Sequence, residues 1–270
     1  MNIKSFIKEF IPPIFWKVYK NNPSEYGFFG NYPNWEAAMK DAEGYDKDII
    51  LETVKNSLLQ VKEGKAVYER DSVLFDKIEY SFPVLTMLLK VALENQGKLS
   101  VLDFGGSLGS HYFQYRNFLA DVKELQWSIV EQAKFVECGQ EFFANNELKF
   151  YYDIDSCLQE RNPQLILLSG VLQCLEKPYE MLEHILGKDF KYIVFDRTAF
   201  VKGNLEEILT LQKVPPSIYP ASYPAWFLNR NKFLGYFREK YNVIIECDGV
   251  DKVNQESDYK IFVFKGKENA

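Results

Sequence analysis

A chain of 270 residues is long enough for one large α/β domain with an added subdomain and a sizeable core, and short for two full domains. Its net charge of −6 argues against a nucleic-acid backbone as main partner, because such binding draws on clustered Lys and Arg. Cys138, Cys157, Cys174 and Cys247 form no C-x-x-C pair and read as reduced thiols of a cytoplasmic protein, neither metal site nor disulfide frame, and no apolar run approaches the roughly 18 residues of a membrane span or the core of a signal peptide.

Residues 1–20 carry Ile3, Phe6, Ile7 and Phe10 at helical spacing among Lys4, Lys8, Lys17 and Lys20, with Pro12 and Pro13 ending the first helix. This amphipathic segment is expected to pack on its own domain or on a second subunit, which would make a homodimer. Attachment to a membrane surface is the sharper alternative, and the acidic chain does not support it. Asn34 can cap a short helix over Trp35–Asp41, and Gly44 can end it. A longer helix is expected over Asp46–Glu63, with Ile50, Val54, Leu58 and Val61 on one side. The polar run Tyr68-Glu69-Arg70-Asp71 precedes a further helical stretch to about Leu93, and Arg70 with Asp71 reads as an ion pair at that helix start. Everything before residue 98 is thus expected to be helical and to stand outside the nucleotide-type fold of the later residues.

The stretch Leu99–Gly109, LSVLDFGGSLG, is an apolar run that reaches Asp103 and breaks into glycines. A strand, a glycine-rich turn and then a helix make the usual cradle for a nucleotide-like cofactor, with close backbone approach and free N–H groups at the helix start. A dinucleotide fingerprint, G-x-G-x-x-G, with Gly106 and Gly109 as its second and third glycines would put the first on Phe104, and it fails there. The acidic-x-Gly-x-Gly-x-Gly pattern of S-adenosylmethionine (SAM) methyltransferases fits as Asp103, Gly105, Ser107 and Gly109, with Ser107 in place of the middle glycine. SAM has no pyrophosphate, so an Asp at the strand end suits its ammonium group and would repel a dinucleotide. A tight turn that holds no ligand is the plain alternative.

From Leu99 onward strands and helices alternate, the signature of a parallel sheet with crossover helices. Strands are expected over Ser100–Phe104, Trp127–Val130, Leu148–Tyr152, Gln164–Ser169 and Tyr192–Phe195, with helices over Ser110–Ala120, Ala133–Asn145, Asp155–Glu160 and Pro178–Leu186 between them. After a long loop come a helix over Asn231–Lys240 and strands over Val243–Cys247 and Tyr259–Phe264. The loop Asp248–Asp258 has no room for a crossover helix, so these two strands should pair antiparallel. That is the seven-stranded class I methyltransferase arrangement, where a dehydrogenase-type sheet would want a sixth parallel strand.

Ligands of open α/β sheets sit at the carboxyl ends of the strands. Glu131 lies where an acid can accept bonds from both ribose hydroxyls, in SAM and NAD enzymes alike; Asp153 lies near an adenine amino group, and Ser169 with Gly170 lies beside the methionine portion. Methyl transfer is an in-line displacement, and a hydroxyl acceptor also needs a base. His111, beside the cofactor at a helix start, is the first candidate, its plain reading a helix-start residue bonding the backbone; Asp196 is the second, and His184 reads as structural. Arg197 is placed to bind an anionic acceptor such as a phosphate, which would need no base and would give weight to Arg197 and Arg70. In the loop VPPSIYPASYPAW, Tyr219, Tyr223 and Trp226 either stack on a sugar face or pack against the N-terminal helices.

The runs YERDSVLF, LDFGGSLGSHYFQYR, WSIVEQ, LLSGVLQCLEKP, YIVFDRTAF and VPPSIYPASYPAW together resemble a bacterial family of SAM-dependent methyltransferases of surface-polysaccharide (capsule, O-antigen) gene clusters, from about Tyr26 to the C-terminus. The resemblance implies a class I fold, with residues 98–270 binding SAM through Asp103, Gly105, Gly106, Ser107, Gly109, Glu131, Gln132, Asp153 and Ser169, and residues 1–97 as a lid and part of the acceptor pocket. It implies a small-molecule acceptor, a sugar nucleotide or phosphorylated sugar, methylated on a hydroxyl or on a phosphate or phosphoramidate substituent. An NAD-type oxidoreductase and a SAM-binding partner without catalysis in a glycan-assembly complex are the rival readings.

Overall fold

The computed structural model describes residues 25–42, 48–203, 205–216 and 218–267. The segment 1–20 and Gly44 lie outside the described residues. The chain opens with β1 (Gly27–Phe29), α1 (Trp35–Lys40) and α2 (Asp48–Lys62). Asn34 caps α1 as its sequence suggests, its Oδ1 accepting from the Ala37 N–H at 2.9 Å. On α2, Ile50, Val54 and Leu58 are buried.

β2 (Tyr68–Arg70) and β3 (Val73–Phe75) form a hairpin, and α3 (Phe82–Glu94) follows. The expectation that everything before residue 98 is helical is therefore corrected. Arg70 pairs with Val73 across a two-residue loop, and both loop residues, Asp71 and Ser72, have positive φ, 51° and 65°. Such loops usually carry Asn-Gly or Asp-Gly; here Asp-Ser supplies the turn without the glycine that would announce it.

The main sheet is built from β4 (Lys98–Phe104), β5 (Glu124–Val130), β6 (Leu148–Tyr151), β7 (Leu165–Ser169) and β8 (Tyr192–Val201). The crossovers are α4 (Ser110–Tyr115), α5 (Ala133–Phe142), α6 (Ile154–Glu160) and α7 (Pro178–Leu186), with a single 3-10 turn at Leu172–Cys174. Then come β9 (Ile208–Lys213), β10 (Ser222–Phe227), α8 (Arg230–Phe237), β11 (Tyr241–Asp248) and β12 (Ser257–Gly266). The seven-stranded order is β11-β12-β8-β7-β4-β5-β6, parallel from β8 to β6, with β12 antiparallel to both β8 and β11. This is the class I, Rossmann-like methyltransferase topology expected from the alternation and the closing hairpin.

Central strands buried on both faces read as continuous apolar runs, and their side chains divide by period two. Val101, Leu165, Leu167 and Val194 join Ile129 in one core with α2 and α3, while Leu102, Ile166, Leu168, Ile193 and Phe195 join Val130 in the other with α7 and α8.

Two further corrections bear on the site. The strand expected to end at Phe195 runs on to Val201, and Asp196 and Arg197 sit in a bulge where two residues face one on β12. The segment expected as a long loop holds β9 and β10, which pair with β1 as a second, antiparallel sheet in the order β1-β9-β10. Its prolines concealed it, yet Pro224 lies on an edge strand, where a missing N–H is tolerated.

Candidate active site

The glycine turn after β4 is shaped by three close approaches. Gly105 has φ +71° and donates its N–H to the Val130 carbonyl at 2.9 Å, so the turn closes over the ends of β4 and β5 together. A Cβ on Gly105 would lie 2.5 Å from Val171 Cγ2, and one on Gly106 would lie 2.6 Å from the Asp103 carboxyl carbon. Ser107, at φ +54°, takes the middle glycine's place in a left-handed conformation, and Gly109, at φ +110°, leads into α4.

Asp103 is buried on β4. It accepts from Trp127 Nε1 at 3.1 Å and faces His111 Nδ1 at 3.2 Å from Oδ2. This contact assigns the Nδ1 proton to the aspartate side and leaves Nε2 as the ring's other nitrogen. Burial pushes the His111 pKa down, but the Asp103 carboxylate and, behind it, Asp196 outweigh that and raise it.

At the end of β5, half-buried Glu131 accepts from the Ser107 N–H at 3.2 Å and the Gln132 N–H at 2.8 Å; Gln132 itself is exposed. Asp153 follows β6 and caps α6, accepting from the Ser156 N–H at 2.6 Å. Beside it, Tyr152 is 54 % exposed. Ser169, at the end of β7, donates to Asp196 Oδ2 at 2.7 Å, and Ser81 donates to Asp196 Oδ1 at 3.0 Å. Asp196 is therefore buried with both oxygens engaged.

Besides Arg70 and Asp71, the β2–β3 hairpin supplies groups given no role in the sequence reading. Buried Glu69 accepts from Ser110 Oγ at 2.7 Å and from the Ser72 N–H at 2.6 Å. Burial pushes its pKa up to about 7 against the pull of those two bonds. Gln114 on α4 donates to Tyr68 Oη at 3.3 Å and to the Glu79 carbonyl, fixing the hairpin against α4. Arg70 pairs with Glu79 at 3.3 Å, not with Asp71. Asp71 instead reaches Arg197 at 3.4 Å, and Asp251, from the loop between β11 and β12, takes the same guanidinium at 3.2 Å. Arg197 has φ +51° and is thus a left-handed residue held between two aspartates.

The run YERD signalled this cluster by its polarity alone; nothing in sequence pointed to Asp251 or to Gln173. Gln173 is 7 % exposed, and its Nε2 donates to the Arg197 carbonyl at 3.1 Å. Of the aromatics proposed to face a sugar, Tyr219 is buried in the core with Val214 and Ile218, Tyr223 packs against that core, and Trp226 packs against the other.

No protein-family model matches this chain, and no curated protein matches it. Among solved structures, it is similar to the N-terminal domain of EvdMO1 in the presence of S-adenosylhomocysteine (SAH) and D-fucose, at 13 % identity and a TM-score of 0.48, over 83 % of this chain and 100 % of that one. It is similar to the N-methyltransferase NodS of Bradyrhizobium japonicum in complex with SAH, at 15 % identity and a TM-score of 0.42, over 79 % of this chain and 100 % of that one. It is also similar to the glycopeptide N-methyltransferase MtfA complexed with sinefungin, at 10 % identity and a TM-score of 0.42, over 67 % of this chain and 93 % of that one. The fold assignment rests on the strand order itself.

Proposed function

We propose that this chain is a SAM-dependent methyltransferase acting on a small molecule, a nucleotide-linked or phosphorylated sugar destined for a bacterial surface polysaccharide. The observation that supports the cofactor is the glycine turn, which leaves no room for a Cβ at Gly105 or Gly106 and brings Asp103, Ser107 and Glu131 together at the ends of β4 and β5; the acceptor class rests on the resemblance of the sequence runs. SAM, when bound, supplies an electrophilic methyl group on a sulfonium.

Gly105, Gly106, Ser107 and Gly109 would hold the amino-acid portion with Asp103 and Ser169 near it. Glu131 and Gln132 would hold the ribose, and Asp153 the adenine, with Tyr152 as an added stacking surface. Asp103 orients His111, which takes the acceptor's proton as a neutral ring. Asp196, with both oxygens engaged, serves better as a positioning residue than as a base. Residues 1–97 would cover the site chiefly through the β2–β3 hairpin.

Two parts of the sequence reading lose support. Arg70 and Arg197, expected to bind an anionic acceptor, are already paired with carboxylates, and Tyr219 is buried in packing. A thermal-shift comparison tests the reading. SAH is expected to stabilise the wild type and to lose most of that effect in Glu131→Ala; equal stabilisation of both would remove Glu131 from the site.

A further inference from the structure

Arg197 sits at the strand ends, where it could neutralise a bound anion, and it is held by two aspartates from two different loops. Around it the balance of charge runs the other way. Asp103, Asp196 and Glu69 act on His111, and Asp71, Asp251 and Asp196 act on Arg197, while the neighbouring Arg70 is paired with Glu79. Even with Glu69 carrying a proton, four carboxylates face His111 and Arg197. Such a site repels phosphate and carboxylate groups and favours a cation.

A second observation concerns hydrogen bonding. Gln173 sits on the 3-10 turn that follows β7, where open α/β sheets place their ligands. Its amide nitrogen is spent on the Arg197 carbonyl, and its Oε1 is buried without a partner. The Ser72 hydroxyl at the hairpin tip is likewise buried without a partner. An unpaired buried acceptor is costly to keep, and a ligand N–H or O–H would recover that cost.

Resting on the methyltransferase reading, we infer that the acceptor presents an amine, bound as ammonium between the Asp71–Arg197–Asp251 clamp and Gln173, and that nitrogen receives the methyl group. The ammonium first gives a proton to the His111 imidazole. The freed nitrogen lone pair forms the new bond to the methyl carbon, the pair of the broken carbon–sulfur bond stays on sulfur, and a thioether and a methylammonium product leave. An amino sugar meets these requirements; a sugar phosphate at the reacting end does not.

The test is binding to the protein–SAH complex, measured calorimetrically with D-glucosamine, D-glucose and inorganic phosphate in a buffer acidic enough to keep the amine charged. Glucosamine is expected to bind about tenfold or more tightly than glucose, and phosphate is not expected to displace it. Gln173→Leu should cut glucosamine affinity about tenfold with SAH affinity unchanged, and Asp71→Asn with Asp251→Asn should create phosphate binding. Glucose binding as tightly as glucosamine, no binding of either sugar, or displacement of bound glucosamine by phosphate would overturn the inference. Failure of SAH itself to bind would instead overturn the methyltransferase reading.

Discussion

His111 Nδ1 lies 3.2 Å from the buried carboxylate of Asp103, one turn of chain after the strand that carries that aspartate. The pair sets a protonation equilibrium. Because the folded pKa of His111 is raised above 6.5, its contribution to stability is fully present below that value and is lost as pH rises through the folded pKa. Activity that needs a neutral ring should rise with pH over the same window. Asp103→Asn should move the acid limb of the pH–rate profile to lower pH and reduce the rate. With only two histidines in the chain, NMR titration against His111→Ala assigns the resonance directly, and a His111 pKa below 6.5 would break the dyad reading.

Glu69 titrates in the same sense. Its folded pKa of about 7 lies above its ordinary 4.5, so the folded protein binds the extra proton and stability falls as pH rises between those values. The full effect is about 3 kcal/mol. Glu69→Gln keeps an acceptor for the Ser72 N–H and removes the titration. The variant should match the wild type near the lower pH and melt higher at pH above about 7. An unchanged slope in denaturant titrations across this range would place the ionisation elsewhere.

At the glycine turn, Gly106→Ala puts a methyl group against the Asp103 carboxylate. Overpacking of this kind costs about 1–3 kcal/mol. The expected result is a lower melting temperature together with loss of SAH binding and a displaced His111 resonance. Normal SAH affinity would mean that the turn is structural only.

Much of this was legible from the chain. The run LSVLDFGGSLG located the strand, the buried aspartate and the turn, and the short link before β12 correctly forced an antiparallel closing pair. What could not be read was non-local. The β2–β3 loop uses Asp-Ser where a glycine would have marked a hairpin, so a strand pair passed for a helix start. Arg197 stood out as a cation, but its partners come from 126 and 54 residues away, and sequence does not show that a charge is already spent. Tyr219 shows the same limit, since a proline-rich loop with aromatics reads alike whether its rings face a sugar or a core.

That last ambiguity has a simple test. Tyr219→Ala should destabilise the fold by about 3 kcal/mol or more, as for other buried aromatics. A change in acceptor KM with stability preserved would return Tyr219 to the binding surface.

The central claim is that the turn after β4 holds SAM and not a dinucleotide. Calorimetric titration of the purified chain with SAH and, separately, with NAD tests it most directly. Micromolar binding of SAH, weakened by about 1–3 kcal/mol in Glu131→Ala, with no heat from NAD, is the expected result. Binding of NAD, or of neither ligand, would contradict it.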